Sequence, residues 1–74
     1  MTSALITGGA GFIGSHIAEL LAAQGWRVRV FDNFRTGKPG NLESVRGAVE
    51  VVEGDVRDAE ALRRAAAGMD YVIH

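Results

Sequence analysis

Four glycines near the amino terminus form the pattern in this sequence with the clearest chemical meaning. They match two overlapping spacings, Gly9-x-Gly11-x-x-Gly14 and Gly8-x-x-Gly11-x-x-Gly14, between a short apolar segment and a helical pattern. The early glycines allow the dihedral angles of a tight turn. Gly11 has no Cβ and lets the backbone approach an anionic group, and Gly14 lets the following helix pack closely against a strand. The spacing therefore predicts a loop that receives a phosphate group.

The helix after this loop would place the positive end of its dipole at the same position. Backbone N–H groups near Phe12 and Ile13 precede the first helical hydrogen bond and would face the anion. A glycine-rich turn between a strand and a helix also occurs in proteins that bind no ligand there. Taken alone, the loop indicates an anion site and leaves its occupant open.

Asp32 narrows the choice of ligand. It lies 18 residues beyond Gly14, at the end of the second predicted strand, where a dinucleotide-binding fold places the group that binds the adenosine ribose. A carboxylate accepts hydrogen bonds from two ribose hydroxyls and repels a 2′-phosphate, which favours NAD over NADP. Arg35 is the opposing observation, because a nearby arginine accommodates a 2′-phosphate. We give Asp32 more weight than Arg35 and predict NAD. The alternative, in which Asp32 only ends the strand in a turn, requires that the glycine loop binds no ligand either.

The elements that must position these residues follow from the apolar pattern. Residues 4–7 form a continuous apolar run, which is typical of a strand in a parallel sheet covered on both faces. From Phe12 the period becomes helical, and Gly25 supplies the position after the helix. The apolar residues of this helix fall on one face, which we expect to be buried: Ile13, Ile17, Leu20 and Leu21.

The rest of the chain repeats the alternation of strand and helix. Residues 27–31 and 49–52 are predicted strands, separated by a turn-rich segment, 33–46, with one helical turn near 42–46. Asp58 is the expected N-cap of a helix that ends near Ala67, with Glu60 and Arg64 as a supporting pair. Residues 70–74 begin a fourth strand. The expected buried side of the second helix comprises Leu62, Ala65, Ala66 and Met69. The order predicts an α/β, Rossmann-type doubly wound sheet of about four parallel strands.

Composition excludes several classes of protein. The 74 residues contain no cysteine, so disulfides and thiolate metal sites are excluded, and we predict no metal site. A net charge of −1 and a pI of about 6.0 give no indication of a nucleic-acid or anionic-membrane partner. No apolar run approaches the length of a membrane span, and the first residues lack the basic start of a secretion signal. We expect a cytoplasmic protein.

The motifs taken together resemble a known family. Residues 7–16, Thr-Gly-Gly-Ala-Gly-Phe-Ile-Gly-Ser-His, are similar to the opening of the extended short-chain dehydrogenases/reductases, in particular the NAD-dependent epimerase/dehydratase group that acts on nucleotide sugars. Three further stretches agree with that family: 32–34 with Gly37 and 41–42, then 54–58, and then 70–74. The similarity covers almost the entire chain.

The resemblance implies a role for each matching position. Gly8, Gly11, Phe12 and Ile13 would line the pyrophosphate, with Gly14 at the start of the helix. Asp32 would hold the adenosine ribose, with Asn33 and Gly37 nearby. Asp55 and Val56 would flank the adenine; without the family, Asp55 is better interpreted as a turn residue after the third strand.

In this family a Tyr-x-x-x-Lys pair carries the acid/base step, and the 74 residues do not contain that motif. Tyr71 is the only tyrosine and Lys38 the only lysine. We assign structural roles to His16, Trp26 and His74, and we predict no catalytic residue here.

From its size, we expect the chain to be the amino-terminal part of the NAD-binding domain of a longer protein. The favoured function is the NAD-binding portion of an epimerase or dehydratase for nucleotide sugars, similar to UDP-glucose 4-epimerase and homodimeric when intact. The alternative is a non-catalytic dinucleotide sensor of the same fold.

Overall fold

The computed structural model of the chain describes residues 1–35, 37–45 and 47–74. Strands and helices alternate along the described chain as the sequence predicts. In chain order the elements are β1 (Ser3–Thr7), α1 (Phe12–Ala23), β2 (Arg27–Asp32), a 3₁₀ helix (Pro39–Val45), β3 (Val49–Glu53), α2 (Ala59–Ala66) and β4 (Tyr71–Ile73).

The four strands form one parallel sheet in the order β3-β2-β1-β4. Ala4 lies opposite Val28 of β2 and Tyr71 of β4, and Val28 lies opposite Val49 of β3. The strand order reverses direction at β1, whose neighbours are β2 on one side and β4 on the other. The carboxyl ends of the strands therefore meet at one edge of the sheet, beside the loops that follow β1 and β2.

Both faces of the sheet carry helices, which confirms the predicted doubly wound arrangement. One face packs against α1 and the 3₁₀ helix, and the other packs against α2. The first cluster has as its buried members Ile6, Ala10, Ala18, Val28, Val30, Leu42 and Val45. The second is smaller and has Leu5, Phe31 and Ala65. β1 is buried along its whole length, as its continuous apolar sequence predicts.

The predicted buried face of α1 is partly wrong. Ile13 and Leu20 are exposed, with 73% and 59% of their surface accessible, and the buried helix residues are Ser15 and Ala18. The reason is steric: a Cβ at Gly14 would overlap the carbonyl oxygen of Gly8, so α1 approaches the sheet along its small residues. The other two predicted residues, Ile17 and Leu21, are partly buried and pack against the first cluster.

The predictions for α2 hold, except for one ion pair. Asp58 caps the helix, because its carboxylate accepts a 3.1 Å hydrogen bond from the N–H of Ala61. The predicted buried side faces the second cluster. The predicted pair of Glu60 with Arg64 is wrong: Glu60 binds Arg63, three residues on, with 2.6 Å between Oε2 and Nη2.

The segment between β2 and β3 contains more helix than predicted. A 3₁₀ helix begins at Pro39 rather than near Leu42, and it ends at Val45. Arg46, the end of the predicted turn, lies outside the described residues. Across residues 1–35, 37–45 and 47–74, no helix has both the length and the apolar character needed to cross a membrane.

Candidate functional site

A groove of about 230 Å³ lies at the carboxyl edge of the sheet, where β1, β2, β3 and β4 end. In open parallel α/β sheets, ligands bind at this edge, where the strand order reverses. Its lining brings together residues from the glycine loop and from the ends of all four strands: Thr7, Gly8, Gly11, Phe31, Asp32, Asn33, Gly54, Val56 and His74.

The glycine loop is held in a tight turn at the end of β1. Gly8 has a φ of +70°, a conformation that glycine adopts without steric cost. Its N–H donates to the carbonyl oxygen of Phe31 (2.8 Å), and its own carbonyl accepts from the N–H of Gly11 (3.1 Å). Gly14 packs directly on this turn, which fixes where α1 starts. The glycine loop and the start of α1 are therefore packed directly against each other.

The start of α1 offers backbone donors to an anion. Gly11 is its N-cap, and no side chain among the described residues caps the helix. Ser15 donates the first helical hydrogen bond, to the carbonyl of Gly11 at 2.9 Å. The N–H groups of Phe12, Ile13 and Gly14 precede that bond and have no carbonyl within the helix to bind. The first turn contains no acidic side chain, so the positive end of the dipole is not neutralised there.

Asp32 is buried and firmly oriented. Its side chain is at the end of β2, and only 7% of the residue is accessible. One carboxylate oxygen accepts from the N–H of Ala10 at 2.9 Å, and the other accepts from the N–H of Phe34 at 2.8 Å. A carboxylate oxygen has a second lone pair, so each keeps the capacity to accept a further bond. The backbone fixes this carboxylate as an acceptor facing the groove.

The residues next to Asp32 support its position. Phe34 has a φ of +60°, which is uncommon for a residue other than glycine, and its hydrogen bond to Asp32 holds that conformation. Gly37 is buried, and a Cβ there would lie 2.9 Å from Oδ2 of Asp32. Asn33 is exposed, lines the groove, and accepts a 3.0 Å bond from the N–H of Arg35. Gly37 therefore packs behind the carboxylate, while Asn33 faces the groove.

Asp55 is engaged by a neighbour. Arg57 donates to both carboxylate oxygens, with 2.7 Å from Nη2 to Oδ2 and 3.1 Å from Nε to Oδ1, and its backbone N–H also binds Oδ1 at 2.9 Å. The side-chain hydrogen bonds from Arg57, followed by the backbone bond, lower the pKa of Asp55 from 3.8 to about 2. The carboxylate of Asp55 is therefore held in its charged form, beside the groove. Its neighbour Val56 is exposed and lines the groove directly.

The structure thus separates the predicted site residues into two sets. Gly8, Gly11, Asp32, Asn33 and Val56 line the groove. The other five are neighbours of the lining residues, either in sequence or, for Gly37, through its contact with Asp32: Phe12, Ile13, Gly14, Gly37 and Asp55.

Four lining residues are absent from the predicted set: Thr7, Phe31, Gly54 and His74. The hydroxyl of Thr7 lies 2.7 Å from Nδ1 of His74, so the ends of β1 and β4 are joined at the groove. All four lie at or next to the carboxyl end of a strand in a parallel sheet, and that position in the sequence could have identified them as groove residues. His16, in contrast, packs its ring edge-on against Phe12, with 4.7 Å between the centroids.

Comparison with known proteins agrees with this geometry. The sequence model of the NAD dependent epimerase/dehydratase family matches residues 4–74. A UDP-N-acetyl-alpha-D-glucosaminuronate decarboxylase of Bacillus cytotoxicus is 40% identical over 70 residues, which cover 95% of this chain and 22% of that protein. A UDP-glucose 4-epimerase of Corynebacterium glutamicum is also 40% identical over 70 residues, which cover 95% of this chain and 20% of that protein.

Solved structures show the same fold. The crystal structure of UDP-glucose 4-epimerase from Bifidobacterium longum, in complex with NAD+ and UDP, matches with a TM-score of 0.86 and 38% identity. The match covers 99% of this chain and 24% of that one. The predicted Rossmann-type fold is therefore confirmed. The chain spans about a fifth to a quarter of the length of these relatives.

Proposed function

The chain belongs to the NAD dependent epimerase/dehydratase family, and we propose that it is the NAD-binding portion of an enzyme that acts on a nucleotide sugar. One observation carries the proposal: a single groove brings the glycine loop and the oriented carboxylate of Asp32 together at the point where the strand order reverses. The NAD assignment agrees with the description of the family and with the neighbour crystallised with NAD+.

These residues would hold a dinucleotide in one orientation. The turn from Gly8 to Gly11 would hold the pyrophosphate together with the N–H groups of Phe12 and Ile13, which have no carbonyl within the helix to bind. These groups offer donors and room for close approach. Asp32 would accept from the adenosine ribose through its remaining lone pairs. A 2′-phosphate there would meet a buried negative charge, which favours NAD over NADP.

The other end of the adenosine would lie near the loop after β3. Val56 offers apolar contact to the adenine, and the carboxylate of Asp55, oriented by Arg57, would accept from its exocyclic amine. Asn33 and Gly37 would lie near the ribose, beside Asp32, with Asn33 on the groove side and Gly37 behind the carboxylate.

For the reaction, we propose hydride exchange between NAD and a carbon of the sugar that bears a hydroxyl, as in a UDP-glucose 4-epimerase. NAD supplies the hydride acceptor when it is bound. The contribution of these 74 residues is to bind and orient the dinucleotide. The proton transfer would belong to residues beyond them, because Tyr71 lies in β4 and packs on Trp26, with 5.6 Å between the rings. The named relatives include both an epimerase and a decarboxylase, and we favour the epimerase.

On this proposal the 74 residues are the amino-terminal part of an NAD-binding domain in a longer protein. Support comes from the relatives, which are four to five times as long as the matched region. The homodimeric state and the cytoplasmic location stay predictions.

The experiment measures NAD binding and turnover by the intact protein. Calorimetric titration with NAD and with NADP should show binding of NAD and much weaker binding of NADP. Incubation with UDP-glucose should yield UDP-galactose, detected by chromatography. Binding of NAD without turnover of any nucleotide sugar would favour the alternative, a non-catalytic dinucleotide sensor. No binding of NAD would refute both.

A further inference from the structure

The peptide carbonyl of Ala10, inside the glycine loop, accepts two hydrogen bonds from the segment that follows β2. The side-chain amide of Asn41 donates to it, with 2.7 Å from Nδ2 to the oxygen, and the backbone N–H of Lys38 donates at 3.1 Å. Ala10 is fully buried, with 0% of its surface accessible. Both lone pairs of this carbonyl are therefore used by protein groups.

This carbonyl belongs to the same planar peptide group as the N–H of Gly11, so the two atoms turn together. The N–H of Gly11 donates to the carbonyl of Gly8 and closes the turn, at 3.1 Å. The carbonyl of Gly11 accepts the first hydrogen bond of α1, from Ser15. The Ala10–Gly11 peptide group therefore closes the glycine turn, and the next peptide group, Gly11–Phe12, carries the carbonyl at which α1 begins.

The peptide group before it is fixed as well. The N–H of Ala10 donates to Oδ2 of Asp32 at 2.9 Å. Asn41 is itself held, because its N–H donates to the carbonyl of Lys38 at 2.9 Å and forms a turn that aims both donors at Ala10. The glycine loop and the acidic end of β2 are thus connected through Ala10. Among the described residues, Asn41 and Asp32 contribute the side chains of that connection.

We propose that Asn41 is a positioning residue for the pyrophosphate of the dinucleotide. It acts through the Ala10–Gly11 peptide, whose orientation aims the N–H groups at the start of α1. Asn41 is not among the residues that line the groove, so its role would be indirect, without contact to the ligand. The inference rests on the proposed function, since it requires a dinucleotide at the glycine loop.

The test uses two variants of Asn41 in the intact protein. Asn41→Asp keeps the size of the side chain but replaces the donor with an acceptor that repels the carbonyl of Ala10. Asn41→Ala removes the donor without adding a charge, and it provides the test if Asn41→Asp does not fold. The matched control is Gln24→Ala, which removes an exposed side-chain amide at the opposite end of α1.

Two ligands separate positioning from general destabilisation. ADP-ribose carries the pyrophosphate, whereas adenosine carries the ribose and base alone. We expect Asn41→Ala to raise the Kd of ADP-ribose about tenfold, the size of one lost hydrogen bond, and Asn41→Asp to raise it further. The Kd of adenosine, measured by ligand-observed NMR, should change less than twofold, and Gln24→Ala should change neither value.

The results distinguish this inference from the proposed function. Unchanged binding of ADP-ribose by Asn41→Ala, or equal losses for ADP-ribose and adenosine, would overturn the positioning role while NAD binding by the wild type stands. Failure of both variants to fold would also overturn it, because Asn41 would then serve the fold as a whole. A wild-type protein that binds neither NAD nor ADP-ribose would overturn the proposed function and this inference with it.

Discussion

Gly14→Ala is expected to damage the site through a single methyl group. A Cβ at this position would overlap the carbonyl oxygen of Gly8 and lie 2.8 Å from Cα of Gly9. Both neighbours are backbone atoms, so neither moves aside as the end of a flexible side chain does. Either α1 or the glycine turn must shift by several tenths of an ångström.

The size of the effect follows from that contact. Forcing an extra methyl group into a close-packed site costs about 1–3 kcal/mol, and the larger part of that range applies where backbone must move. The better helix propensity of alanine offsets about 1 kcal/mol of this cost. We therefore expect a net loss of about 1–2 kcal/mol in the free energy of unfolding. The Kd for NAD should rise about tenfold or more, because the shift displaces the turn that faces the pyrophosphate.

Urea unfolding followed by circular dichroism measures the first quantity, and calorimetric titration with NAD measures the second. Gly47→Ala is the matched control, because a Cβ at Gly47 would meet no atom of the described residues within 4 Å. It should leave NAD affinity unchanged and alter stability by less than about 0.5 kcal/mol. If Gly14→Ala bound NAD as tightly as the wild type, the close contact between α1 and the glycine turn would have no part in binding.

Three further predictions concern the acidic residues. Asp32→Asn should weaken NAD binding far more than NADP binding, measured by calorimetry; equal losses would remove the basis for the preference. Arg57→Gln should return the pKa of Asp55 from about 2 toward 3.8, measured by carboxylate NMR. The stability that the pair adds is present above pH 3.8 and is lost as the pH falls toward 2. A pKa left near 2 would show that the Arg57 side chain is not the main cause of the shift. Asp70→Ala should lower the free energy of unfolding by about 1–3 kcal/mol, because the Asp70 carboxylate accepts hydrogen bonds of 2.8 and 3.1 Å from Ser3 that connect β4 to β1. An unchanged urea unfolding curve would contradict this prediction.

The sequence predicted the parts of the fold that depend on local pattern. The strand in residues 4–7 was predicted because a run of buried apolar residues has few alternatives, and Asp58 because capping is a local interaction. The burial of α1 was predicted less well. Ile13 and Leu20 lie on one helical face, but the rotation of α1 depends on the contact of Gly14 with Gly8, which periodicity does not show.

The candidate site divides in the same way. The glycine loop and Asp32 were found because motif spacing is local to one β-α-β unit. The sequence did not predict that Thr7 and His74 meet in the groove, because they are 67 residues apart and come together only when β4 pairs with β1. The link from Asn41 to Ala10 was missed for the same reason, because it depends on how a turn-rich segment folds back over the glycine loop.

The most direct test of the central claim is a crystal structure of the intact protein with NAD. The pyrophosphate should lie within hydrogen-bond distance of N–H groups in the loop of Gly8 and Gly11 and at the start of α1, and the adenosine ribose hydroxyls should bind the carboxylate of Asp32. NAD bound away from this groove, or an adenosine ribose that does not contact Asp32, would contradict the account.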